Sequence, residues 1–212
     1  LSIADKFSEA VSQSNAGWIF TSATLAVDGK FEHFVHQLGI TNAKQLLLDS
    51  PFDFYQQSQL LVPRYLPPAN DSQRAHALAL LAMPLIKASK GACFLLFTSY
   101  RVMNQVAQLL NEYFLDKQIE QPLLVQGQMP KRNLLSQFMV QDNAVLLATA
   151  SFWEGVDVRG DKLTCVIIDK LPFASPDDPL LQARCDDVKR QGGDPFKQIQ
   201  LPQAVIALKQ GV

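Results

Sequence analysis

The chain has 212 residues, 48% of them hydrophobic, which is material for one compact domain with a sizeable core. Lysine and arginine number 19 against 20 acidic residues, and the formal charge of −1 excludes a global basic field; any contact with nucleic acid must be local. Three dispersed cysteines, Cys93, Cys165 and Cys185, exclude a dense disulfide framework or a cysteine metal site and read as core residues of a protein in a reducing cytoplasm.

The N-terminus, Leu1-Ser2-Ile3-Ala4-Asp5-Lys6, has neither an initiator methionine nor a signal-peptide layout and reads as an internal point of a longer protein. A short helix is expected over 2–13 and a strand over Trp18–Ser22. Helical spacing returns at Phe31, Phe34, Val35 and Leu38 and stops at Gly39. Pro51 to Pro68 is irregular, with prolines around a strand expected at Gln59–Val62. Asp71 or Ser72 caps a helix with an apolar stripe at Ala75, Leu78, Leu81, Ala82 and Leu85. Lys87, Lys90, Gly91 and Pro84 interrupt the apolar stretch Leu78–Phe97, so no membrane span is expected there.

From here the pattern alternates. Strands are expected at Cys93–Phe97, Leu123–Gln126, Ala144–Ala148 and Thr164–Ile168. A helix with Val102, Val106, Leu109, Leu110 and Tyr113 on one face follows the first strand, and a helix over Met129–Met139, opened by Pro130, follows the second. Apolar strands joined by helices predict an α/β fold, a parallel sheet with helices on both faces. Ligands of such folds gather beyond the carboxyl ends of the strands. Asp186-Asp187 with Lys189-Arg190 reads as a solvated helical face, and Pro202–Lys209 as a final helix. His33, His36 and His76 read as solvent or satisfied positions rather than metal ligands.

Four polar loops fall at that carboxyl edge. Thr98-Ser99-Tyr100-Arg101 opens a helix, where backbone N–H groups, hydroxyls and Arg101 suit a phosphate; the simpler reading is an N-cap with an exposed arginine. Gln126-Gly127-Gln128 ends the next strand. The loop Thr149 to Gly160 joins hydroxyls of Thr149 and Ser151 to Trp153, Glu154, Gly155 and Asp157. Its glycine admits close backbone approach to a phosphate, its carboxylates suit a ribose hydroxyl, and Trp153 suits either stacking on a base or anchoring the loop. The last loop begins Asp169-Lys170-Leu171-Pro172-Phe173.

In order, Phe20-Thr21-Ser22-Ala23-Thr24-Leu25, Leu96 to Tyr100, Ser151 to Asp157 and Lys170 to Phe173 resemble motifs of superfamily 2 DNA helicases of the DinG and XPD type. The resemblance spans the whole chain and implies a RecA-like sheet, the second motor domain of a 5′-to-3′ ATP-dependent enzyme. It implies a hinge-proximal segment over 1–50 carrying motif III (Ser22, Ala23, Thr24), packed on a motor domain over 51–212. Glu154, Gly155, Asp157 and Gln210 would then contribute to ATP binding, and Ser22, Ala23 and Thr24 to coupling. Single-stranded DNA would be held by Thr98, Ser99, Tyr100, Arg101, Gln126, Thr149, Ser151, Trp153 and Lys170.

Gln210-Gly211-Val212 resembles the opening of motif VI, whose arginines do not follow within the chain. Neither a phosphate loop nor an Asp-Glu-x-His box is present, so the chain alone is expected not to hydrolyse ATP. The resemblance further implies ATP and Mg²⁺ shared with the first motor domain, and a [4Fe–4S] cluster outside this chain, with no metal site here. Its implied partners are DNA, that first domain and the chi subunit of DNA polymerase III. The competing expectations are a non-catalytic α/β module for a protein partner, and an RNA helicase domain.

Overall fold

The computed structural model describes residues 3–149, 152, 156, 158 and 160–211. The chain divides into two compact units, one formed by 1–61 with 173–210 and the other by 62–172 with 211–212.

The first unit opens with α1 (Ala4–Gln13), α2 (Glu32–Leu38) and the single turn α3 (Phe54–Gln57). The predicted strand at Trp18–Ser22 is instead an irregular segment. Strand alternation would send Trp18 and Phe20 to the same side, and they do stack at 6.1 Å and meet Phe7 of α1. No described residue offers this backbone a ladder partner, and a strand without one is not stable alone. Phe20 also meets Phe34 of α2 edge-on at 5.6 Å, so aromatic packing replaces pairing as the organising force. Gly39 ends α2 in the left-handed region at φ 65°, and a Cβ there would lie 2.7 Å from the carbonyl oxygen of Ala4. Glycine is thus required twice over, by conformation and by the approach of α1.

In the second unit α4 (Arg74–Ala88) leads to β1 (Cys93–Phe97), α5 (Tyr100–Asp116), β2 (Leu123–Val125), α6 (Lys131–Val140), β3 (Val145–Thr149) and β4 (Cys165–Ile168). All strand pairs are parallel and the order is β2-β3-β1-β4. Cys93, Leu95, Phe97, Val125, Val145 and Leu147 face the helices α4 and α5. On the opposite face the ring of Phe94 meets Phe138 of α6 at 4.7 Å. Both faces being covered explains why β1 and β3 carry uninterrupted apolar runs, each residue buried.

α4 begins at Arg74, and Asp71 Oδ1 accepts the Gln73 N–H at 2.7 Å in the turn before it, so Asp71 organises the approach rather than capping the helix itself. Its buried stripe is Ala75, Leu78, Ala79, Ala82 and Ile86, with Leu81 and Leu85 half-buried on its flank. Pro84 lies inside this helix on the exposed side; the lost hydrogen bond costs about 3 kcal/mol, a sum that burial of Leu78 and Ile86 at about 1.5–3 kcal/mol each offsets. Gly91, at φ 88°, donates to Ile86 O at 2.8 Å and lies so near Asn143 O and Gln121 Nε2 that no side chain fits. α6 starts one residue after Pro130 rather than containing it.

After the sheet, the first unit resumes with α7 (Pro179–Arg190), a π turn (Phe196–Gln200) and α8 (Leu201–Gly211). Asp178 caps α7, accepting from Leu180 N at 2.8 Å and Leu181 N at 3.0 Å, with Pro179 at the first helical position. Asp186, Asp187, Lys189 and Arg190 are exposed on α7. Lys209 of α8 donates to Ala26 O at 3.0 Å, tying the last helix to the segment after motif III. The predicted strand Gln59–Val62 is coil, with Leu60 and Leu61 exposed: β-propensity there has no described neighbour to pair with, and Pro63 follows.

Candidate nucleic-acid interface

Parallel order brings the carboxyl ends of β1, β2, β3 and β4 to one edge, which places Thr98, Gln126, Thr149 and Asp169 together in the second unit. The best-defined element there is a side-chain junction. Gln126 Nε2 donates to Tyr100 Oη at 2.6 Å, while Gln126 Oε1 accepts from Thr149 N at 2.6 Å and from Thr149 Oγ1 at 3.0 Å. One carboxamide thus joins the loops after β1, β2 and β3. Thr149 is buried, so its hydroxyl is held by the protein rather than offered to solvent.

The loop after β1 is different. Ser99 occupies the N-cap position of α5 in extended conformation, yet makes no side-chain cap bond, so the simpler capping role is not filled. Thr98 Oγ1 is buried and has no hydrogen-bond partner among the described residues. Tyr100 and Arg101 are exposed, as is Lys170 after β4. This edge combines free helix-terminal N–H groups and two exposed cations, a set suited to a phosphate backbone, while the Thr98 hydroxyl is closed off from solvent.

Beside the junction, a cleft of about 590 Å³ runs between α5 and β2. Tyr100, Asn104, Gln108, Asn111, Gln126 and Gln128 line it with polar groups, over Ala107, Leu123 and Val125. None of its lining side chains is charged.

Two buried features escaped the sequence reading. Arg74, on the first turn of α4, donates to Pro67 O and to Asp169 O, both at 2.6 Å, and pairs with Asp169 Oδ1 at 3.3 Å. The carboxylate side chain is 3% exposed, so this ion pair fixes the loop that carries Lys170. The pair is separated by 95 residues, and no local pattern announces it. Phe152 is also buried, with Lys131 Nζ 5.1 Å from its ring centre, so an anchor of the loop after β3 is Phe152.

The core reading of the cysteines holds for Cys93 and Cys185, which are buried, while Cys165 is half-buried; all three are free. They are dispersed in sequence, but Cys93 and Cys165 are register partners on β1 and β4. The interaction with Cys93 lowers the Cys165 thiol to about 7, and the same interaction together with burial pushes Cys93 upward; Cys93 Sγ itself donates to Phe94 O at 3.7 Å. Among the described residues no group of His, Cys, Asp and Glu could hold a metal ion.

Residues 82–212 match the helicase C-terminal domain family. The chain belongs to this family. Over all 212 residues it is 54% identical to the ATP-dependent DNA helicase YoaA of Haemophilus influenzae and 52% identical to that of Escherichia coli, spanning 32% of each. It is 33% identical over 201 residues to the 3′-5′ exonuclease DinG of Bacillus subtilis, covering 92% of this chain and 21% of that protein. A solved XPD helicase shares the fold, with a TM-score of 0.58 at 19% identity over 90% of this chain and 34% of that one. The chain therefore spans about a third of the length of the YoaA relatives. The expected kinship with DinG-type helicases is met by the family and its relatives, and the expected α/β parallel sheet by the topology and by the fold shared with XPD.

Within this helicase domain, the residues expected at the nucleotide, Glu154, Gly155 and Asp157, lie outside the described residues, as do Ser151 and Trp153. Gln210 is exposed near the end of α8. In the motif III segment Thr24 N donates to Ser22 Oγ at 3.1 Å, and the two hydroxyls lie 3.2 Å apart, so Ser22, Ala23 and Thr24 form a closed turn in the first unit.

Proposed function

We propose that the chain is the second motor domain of a 5′-to-3′ ATP-dependent DNA helicase of the DinG/XPD type, acting in DNA repair or replication in the cytoplasm. Single-stranded DNA passes over the carboxyl edge of the sheet, its phosphates meeting Thr98, Ser99, Arg101, Ser151 and Lys170. Tyr100, Gln126 and Thr149 hold the loops in place, and Trp153 offers a face to a base. The observation that carries this reading is the Tyr100–Gln126–Thr149 junction, because it links three strand-end loops at the carboxyl edge.

Glu154, Gly155, Asp157 and Gln210 supply one wall of an ATP site whose phosphate loop and Mg²⁺ ligands come from the first motor domain, and Ser22, Ala23 and Thr24 link that site to the strand. The cysteines present do not fit a [4Fe–4S] site: Cys93 is fully buried inside the sheet, and no third cysteine lies beside Cys93 and Cys165 among the described residues. No step here runs through a cluster. The proposed partners are single-stranded DNA, the first motor domain of the same protein and the chi subunit of DNA polymerase III. No described helix is long and apolar enough to cross a membrane.

The test uses the purified chain and the natural full-length protein side by side. The full-length protein should hydrolyse ATP only with single-stranded DNA, and the chain alone should bind DNA weakly, more tightly than RNA of the same sequence, with affinity falling as salt rises. DNA-stimulated hydrolysis by the chain alone, or a full-length protein indifferent to DNA, overturns the reading.

A further inference from the structure

The cleft between α5 and β2 has a chemistry unlike the rest of the edge. Tyr100, Asn104, Gln108 and Asn111 recur at spacings of four, four and three along α5, so they form one face, and Gln126 and Gln128 close the cleft from the β2 side. A lining of neutral carboxamides offers no electrostatic attraction to phosphate. Each carboxamide instead presents an adjacent donor and acceptor.

Some of these amides are already engaged. Gln126 holds Tyr100 and Thr149, and Gln108 Nε2 donates to Glu112 Oε1 at 2.8 Å. Gln128 seals the outward backbone of the edge strand: its Oε1 accepts the Val125 N–H at 3.3 Å and its own N–H donates to Val125 O at 3.2 Å. An extended peptide therefore cannot continue the sheet at that point, since the groups it would pair with are closed. Asn104 and Asn111 are exposed on α5, and their amides have no protein hydrogen-bond partner among the described residues. They line a space of about 590 Å³ floored by Ala107, Leu123 and Val125, with the exposed ring of Tyr100 at its mouth.

An apolar floor, an exposed aromatic ring at the mouth and exposed carboxamides are the chemistry that suits an unpaired nucleobase. We propose that this cleft receives one base of the strand held at the neighbouring edge, stacked against Tyr100, with Asn104, one turn along α5 from that ring, reading its hydrogen-bonding edge and Asn111, about 10 Å farther along the helix, lining the far end of the cleft. Adenine is the favoured occupant, because its N6 donor and N7 acceptor match a carboxamide in bidentate fashion. The volume suits a purine with its sugar. The inference rests on the proposed passage of DNA over this edge and adds base preference to it: the domain grips phosphates without regard to sequence, and at one register it senses the base.

The experiment measures binding of the natural full-length protein, at fixed salt and without ATP, to short oligothymidylates carrying a single adenine or a single abasic site at each position in turn. At one register the adenine strand should bind at least about fivefold more tightly than the abasic strand. The paired change Asn104→Ala with Asn111→Ala should erase that difference and leave affinity for the abasic strand unaltered. Should the pair fail to fold, Asn104→Asp alone serves: it keeps the volume, removes the amide donor, and should lower the preference for adenine. Binding that ignores base identity at every position overturns the base site while leaving DNA passage standing. A preference that survives the substitutions also overturns it, and loss of all DNA binding by the unaltered protein sinks both readings.

Discussion

Replacing Arg74 by methionine tests whether a buried ion pair holds the helicase edge in shape. Methionine keeps the packing of the stem and removes a guanidinium that donates to Pro67 O and Asp169 O and faces Asp169 Oδ1 at 3.3 Å. At that separation and an effective dielectric of about 20, the gross attraction is about 5 kcal/mol. Because the Asp169 side chain is 3% exposed, removing its partner strands a carboxylate away from water, a change that costs about 3–5 kcal/mol. For a chain of this size that corresponds to a fall in melting temperature of about 6–20 °C. The double variant Arg74→Met with Asp169→Leu removes both charges and should recover much of the loss, since replacing a whole buried pair by apolar groups is often close to neutral. Urea unfolding of the single and double variants reads both numbers. A loss below about 1 kcal/mol for Arg74→Met would put the pair in the class of surface salt bridges and refute its assigned role in fixing the Lys170 loop.

Two further outcomes follow from titration. The neighbouring Cys93 thiol lowers the Cys165 thiol to about 7, so alkylation of Cys165 by iodoacetamide should rise through about pH 7, and Cys93→Ala should move that midpoint upward; a wild-type midpoint near the ordinary thiol value would count against the pair. Burial, with a smaller contribution from the charge of His36, lowers His33 below its ordinary 6.5. The unfolded chain therefore takes up that proton first, and stability present above pH 6.5 is lost as pH falls through it toward the folded value. The melting temperature of the unaltered chain should drop relative to His33→Gln below pH 6.5, and parallel pH profiles for the two would show that the imidazole is not linked to folding.

The sheet was readable in advance because its strands are covered on both faces. Leu95, Leu96, Leu146 and Leu147 give continuous apolar runs, and Gly91 marks the entry to β1 by a conformation that only glycine adopts easily. The same signal misled at Trp18–Ser22 and Gln59–Val62. Apolar, β-prone residues state a preference, but a strand exists only when another backbone completes its hydrogen bonds, and neither segment has one among the described residues. Trp18 and Phe20 instead satisfy their apolar surface by stacking around Phe7.

The polar side chains of the edge show where reading a sequence stops. Chain order and strand ends suffice to bring Thr98, Gln126 and Thr149 to one place, but they do not say which of these groups the protein keeps for itself. Gln126 reaches Tyr100 across 26 residues and Thr149 across 23, and is bound on both sides of its amide. Asn104 and Asn111 show the reverse: helical spacing puts them on the solvent side of α5, where an amide draws no notice, and only the closeness of β2 turns that side into the wall of a cleft. A residue type at a loop therefore predicts polarity at the site, whereas availability to a ligand depends on partners distant in the chain. Gln126 thus fixes the shape of the edge, whereas Asn104 and Asn111 keep exposed amides that the protein does not engage, and on the proposed passage of DNA they are the groups left open to a ligand.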